Sequence, residues 1–80
     1  MNSYDYYAVA KKIARRLSKD GYPNWSDRIL DAIACGSTAT EILMAIRWQL
    51  NEFKNSQSKI SDPIKKEIVE LTTKIDEVLK

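Results

Sequence analysis

Residues 38–53, TATEILMAIRWQLNEF, decide the fold. Ala39, Leu43, Ile46, Leu50 and Phe53 recur at alternating spacings of four and three, the pattern of a helix packed lengthwise against another. Thr38, with Glu41 three residues later, makes a T-x-x-E capping box, in which each side chain satisfies a free backbone donor of the first turn. The helix therefore begins at Thr38 and runs to about residue 54. Ile42 widens its apolar seam. Met44 and Trp48 do not belong to that seam. Counted at 100° per residue from Ile42, they lie at about 200° and 240°, so the helix carries a second apolar stripe. That stripe is either the surface on which the first or second helix docks, or an exposed anchor for a partner. Trp and Met beside Arg47 have the composition of an interface hot spot.

Downstream, the segment from Lys54 to Ser61 has no apolar periodicity and reads as a polar connection. Asp62 and Pro63 restart a helix, with proline at the first helical position where its missing N–H costs nothing. Ile64, Ile68, Leu71, Ile75 and Val78 then repeat the four-three alternation. The third and fourth helices form a long antiparallel hairpin.

Upstream, Tyr6, Ala10, Ile13 and Leu17 mark one face of a first helix from about residue 4 to 19, with Ser3 placed to cap it. Asp20 to Asn24 break it, through Gly21 in a left-handed conformation and Pro23. Ser26 is expected to cap a short second helix, with Trp25 and Leu30 spaced as a hydrophobic staple and Asp27 in the first turn. Ile29, Leu30, Ile33 and Ala34 follow before Gly36 ends it. No strand pattern competes. The expected fold is all-α: one domain over residues 1–80, a compact four-helix bundle with a short second helix and the hairpin of helices three and four.

Composition excludes much of the usual chemistry. The chain has 80 residues, one cysteine and no histidine, which removes an internal disulfide, an ordinary zinc site and an imidazole acid or base. No cofactor and no metal are expected, and no catalytic residue is assigned. Asp27 and Asp31, one turn apart, and Glu67, Glu70 and Glu77 with Lys74 among them read as surface charge, because acid–base work needs a pocket and a raised pKa. Cys35 reads as a small buried residue, since no histidine is present to activate its thiol. Tyr4, Tyr6, Tyr7 and Tyr22 read as padding of the core and its rim. The absence of an apolar run of membrane-spanning length and of a basic-plus-apolar leader points to a cytoplasmic protein with no membrane partner.

Thirteen basic and eleven acidic residues nearly cancel to +2, yet Lys11, Lys12, Arg15, Arg16 and Lys19 fall within about 140° of arc on the first helix. This ridge is either a solvated face or an electrostatic footprint for phosphate or for an acidic protein. Residues 27–54 also partly match a DNA-binding helix-turn-helix. Against that, Asp31 and Ser37 stand where apolar residues belong, and the would-be reading helix offers Leu43, Met44 and Trp48 in place of side chains that bond base edges.

The stretch from Trp25 to Leu50, WSDRILDAIACGSTATEILMAIRWQL, resembles short helical proteins of bacteria. The chain as a whole resembles the small cytoplasmic immunity proteins of contact-dependent growth inhibition systems. The resemblance implies a one-domain, non-enzymatic binder, an antitoxin-like inhibitor that covers the active site or substrate surface of a toxic nuclease. Partners of basic nucleases tend to be acidic. On a chain of net +2, recognition would then use a local acidic patch such as Asp27, Asp31 and Glu41 or the glutamates of the fourth helix, or a toxin surface that is itself acidic. The expected binding residues are Asp27, Asp31, Glu41, Met44, Arg47 and Trp48. The alternative is a nucleic-acid-binding domain acting through Lys11, Lys12, Arg15, Arg16 and Lys19. The expected partner is a protein, a toxin domain, bound by a monomer or weak homodimer.

Overall fold

A computed structural model describes residues 4–57 and 59–79. Four helices follow one another: α1 (Tyr6–Lys19), α2 (Pro23–Cys35), α3 (Ala39–Ser56) and α4 (Asp62–Leu79). Each packs against its neighbour in chain order, and α1 closes the ring on α4. The radius of gyration, 11.8 Å, is that of a close-packed globule of this length.

The ends of the helices are set by local hydrogen bonding. Asp5 caps α1, its Oδ1 accepting from the Ala8 N–H at 3.0 Å. The cap expected at Ser3 lies outside the described residues. At the other end Tyr22 N–H donates to the Leu17 carbonyl at 2.8 Å and Gly21 N–H to Ser18 at 3.4 Å. These are the two bonds of a Schellman motif, and Gly21 takes the φ of +95° that the motif demands.

Helix α2 starts earlier than the capping pattern predicted. Pro23 is its first residue, and Ser26 is not a cap but a buried residue inside the helix. Proline satisfies the first-turn geometry without a donor, so the chain enters the helix directly from the α1 turn. Asp27 is consequently beyond the first turn. The expected staple is absent as well: Trp25 packs edge-on against Phe53 with ring centroids 5.5 Å apart, while Leu30 stays exposed.

Thr38 caps α3 as expected, its Oγ1 accepting from Glu41 N–H at 3.1 Å. The reciprocal half of the box is displaced by one residue, the Glu41 carboxylate accepting from Ser37 N–H at 3.4 Å. In α4 the Ser61 carbonyl accepts from Lys65 N–H at 3.0 Å, and Pro63 is the second helical residue, where its missing donor is equally harmless.

The core contains Ala10, Ile13, Ala14 and Leu17 of α1, Ile29 of α2, Leu43, Ile46, Leu50 and Phe53 of α3, and Ile64, Ile68, Leu71 and Ile75 of α4. Five expected apolar positions are exposed, among them Leu30 and Ala34, which lie about 100° and 140° round α2 from Ile29. Ala39, at the first turn of α3, opens onto a hollow beside the first residues of α1, and Val78, in the last turn of α4, is exposed. Cys35, expected inside, is exposed, since the last residue of α2 points away from the Ile29 face. The four tyrosines are partly buried against the core, Tyr22 edge-on to Phe53 with centroids 5.1 Å apart.

Candidate interaction surfaces

The fold sorts the charges. Helix α1 carries five basic side chains and no acidic one. The rest of the chain therefore holds eight basic against eleven acidic residues, an excess of three negative charges. The overall +2 is the sum of a basic helix and an acidic remainder.

On α1, Lys11, Lys12, Arg15, Arg16 and Lys19 are all exposed. Their side chains stand opposite Ala10, Ile13, Ala14 and Leu17, which are wholly buried. A groove of about 200 Å³ runs beside the ridge, lined by Lys12, Arg15, Arg16, Lys19 and Glu67 of α4. Lys12 reaches Glu67 at 3.5 Å. Among the described residues the other four cations make no ion pair.

On α3 the second apolar stripe is solvent-facing. Met44 and Trp48 are 48% and 58% exposed, so no helix of this chain docks on them. At 100° per residue they lie about 140° and 180° from the mid-line of the buried seam, and the ring of four helices leaves that side uncovered. Arg47, one position before Trp48, leans toward α4 and donates to Asp76 Oδ1 at 2.6 Å. The carboxylates of Glu41 and Glu52 flank the two anchors, at i−3 from Met44 and i+4 from Trp48, and both are exposed. Glu52 and Asp76 were not among the residues singled out in the sequence. The i+4 spacing on α3 was there to find Glu52, whereas Asp76 is 29 positions away and only packing reveals it.

Asp27 and Asp31 lie exposed on α2, the helix that packs beside α3. The sequence-expected set is thus displayed on the outer faces of two adjacent helices, with Arg47 half-buried and already neutralised. On α4, Lys74 sits over the Tyr4 ring, 5.6 Å from its centroid. Among the described residues no three acidic or cysteine side chains converge as a metal site would require, and no helix is long and apolar enough to cross a membrane.

A further cavity of about 450 Å³ opens between the start of α1 and the start of α3, lined by Tyr4, Asp5, Tyr6, Tyr7, Ala39 and Leu43. The tyrosine cluster is legible in the sequence, whereas the hollow depends on how the start of α1 meets the start of α3 and is not. The Asp5 carboxylate there is committed to capping α1.

No protein-family model, no curated protein and no solved structure matches this chain.

Proposed function

We propose that this protein is a non-enzymatic protein-binding module, an immunity or antitoxin-type inhibitor that docks on a basic toxin domain through the outer face of α3. The observation that carries this reading is the exposure of Trp48 and Met44 on a helix whose other face is fully committed to the core. Large apolar side chains at the centre of a polar surface are what interfaces use as anchors, and tryptophan leads among them. Glu41 and Glu52 on α3, with Asp27 and Asp31 on α2, supply the rim.

Charge favours a basic partner. With the positive charge concentrated on α1, the remainder of the molecule is net acidic, so a chain of +2 still offers a nuclease a complementary surface. Such a protein blocks by covering the substrate surface and carries out no chemistry of its own, consistent with a chain that has no histidine.

Co-expression with a toxin domain encoded beside it tests the proposal. A stoichiometric complex and restored growth are expected, and both should be lost in Trp48→Ala. A gene with no toxin beside it, or a neighbouring toxin against which the protein gives no protection, removes the inhibitor reading. Protection that survives Trp48→Ala and Met44→Ala together removes α3 as the docking face.

A further inference from the structure

The α1 face remains outside that reading. We infer that the ridge of Lys11, Lys12, Arg15, Arg16 and Lys19 is a second interaction surface, one that binds the phosphate backbone of double-stranded nucleic acid without reading its sequence. Helices α1 and α3 are not packing neighbours in the ring, so this surface is separate from the Trp48 face and its fate does not depend on the toxin reading.

Four features select this ligand. The five cations are unmixed with carboxylates along the helix, and only Lys12 is engaged, by Glu67 at 3.5 Å. From Lys11 to Lys19 the ridge extends roughly 12 Å at the α-helical rise, about the width of a duplex major groove, so its ends reach phosphates on both flanking strands. Only Ala8 shares the arc of the cations, which leaves no aromatic ring to stack an unpaired base and no Asn or Gln to bond a base edge. Ala10, Ile13, Ala14 and Leu17 of α1 are at 0% exposure in the core and only the small Ala8 accompanies the cations, so the ridge has no large apolar side chain to insert into a lipid interface and meets its partner through charge.

Fluorescence anisotropy with a labelled 20-base-pair DNA duplex, at several salt concentrations, is the test. Saturable binding is expected at low salt, equal within about twofold for two unrelated sequences. The log–log salt slope should be about −3 to −4, since four unpaired cations each release about 0.9 counterion. Arg15→Gln with Lys19→Gln should lower affinity at least tenfold and flatten the slope by about two. Lys54→Gln with Lys65→Gln removes the same charge from the α3–α4 end and should change affinity less than twofold. Absence of saturable binding at low salt overturns the inference. So does an equal loss in both double variants, or binding to single strands or phosphatidylserine vesicles as tight as to the duplex. All four substituted residues lie on solvent-accessible positions, and circular dichroism checks that both variants fold.

Discussion

Gly36 lies against Ile42 so closely that a β-carbon placed on the glycine would stand 3.3 Å from the Ile42 Cα and overlap its side chain. The backbone of Gly36 is extended, with φ −73°, so conformation does not require glycine here. Space does. Gly36→Ala is expected to push α3 away from the end of α2 at a cost of about 1–3 kcal/mol, the usual range for overpacking. Gly21→Ala meets no atom within 4 Å but must adopt φ +95°, and should cost about 1 kcal/mol. Ile42→Ala, which removes the overlapping Cγ1, should cost less in the Gly36→Ala background than in the Gly21→Ala background. Urea denaturation of the four variants checks the contrast.

Phe53 is the largest of the fully buried side chains, with Tyr22 and Trp25 both set edge-on against its ring. Phe53→Ala is expected to remove about 3–5 kcal/mol. A domain of this size holds only about 4–12 kcal/mol in total, so the variant should be largely unfolded well below the wild-type melting temperature. Thermal melts followed by circular dichroism report it, and Phe53→Leu should recover much of the loss.

The seams of α1, α3 and α4 were legible because a four-three spacing has one helical interpretation, and the buried set from Ile13 to Ile75 follows it closely. The start of α2 was not. Trp25, Ser26 and Leu30 carry the spacing of a cap and staple, and Pro23 carries an equally good start signal three residues earlier. Local sequence cannot rank the two, whereas the Schellman turn at Gly21 delivers the chain to Pro23. Met44 and Trp48 were ambiguous for another reason. A second apolar stripe is buried or exposed according to how many helices surround α3, and that number is a property of the ring, fixed by α1 closing on α4. Cys35 was misplaced because the lack of an activating histidine does not tell which way a residue faces, and Val78 because periodicity does not tell which positions of a last turn a neighbour covers.

Gln49 is half-buried on α3 and its Oε1 has no hydrogen-bond partner among the described residues. An unpaired buried acceptor retains its desolvation cost without return. Gln49→Met keeps the length of the side chain and removes that acceptor, and should raise stability by about 0.5–1 kcal/mol. The expected signature is a higher urea midpoint with an unchanged slope.

Tyr4 should make stability fall at alkaline pH. Burial, then the negative charge of Glu70, the Tyr6 phenol and the charge of Glu67, hold its phenol above the usual 10.0. Among the described residues the Lys74 ammonium is the cation placed over the ring. A pKa raised in the folded state means that the unfolded chain loses this proton first. The contribution is whole below pH 10.0 and drains away as pH climbs through the higher folded value. Tyr4→Phe should therefore lose less stability than wild type between about pH 9 and 11 in urea titrations. One of the four tyrosines should also ionise late in ultraviolet absorbance.

Under the proposed function, Trp48 serves binding and not the fold. At 58% exposure and directed away from the buried seam, its indole shields little apolar area that folding alone would cover. Trp48→Ala should accordingly shift stability by no more than about 0.5 kcal/mol, the range of ordinary surface substitutions. Removal of a central aromatic anchor costs about 2 kcal/mol or more in an interface, some 30-fold in Kd. The same residue reports on its own occupancy. Trp25 is shielded against Phe53, so in free protein the red-shifted part of the emission belongs to Trp48. Addition of the toxin domain should move that emission to the blue in wild type and in Trp25→Phe, and leave Trp48→Phe unchanged. A Trp48 emission that stays red in a saturated complex would place the partner on another face.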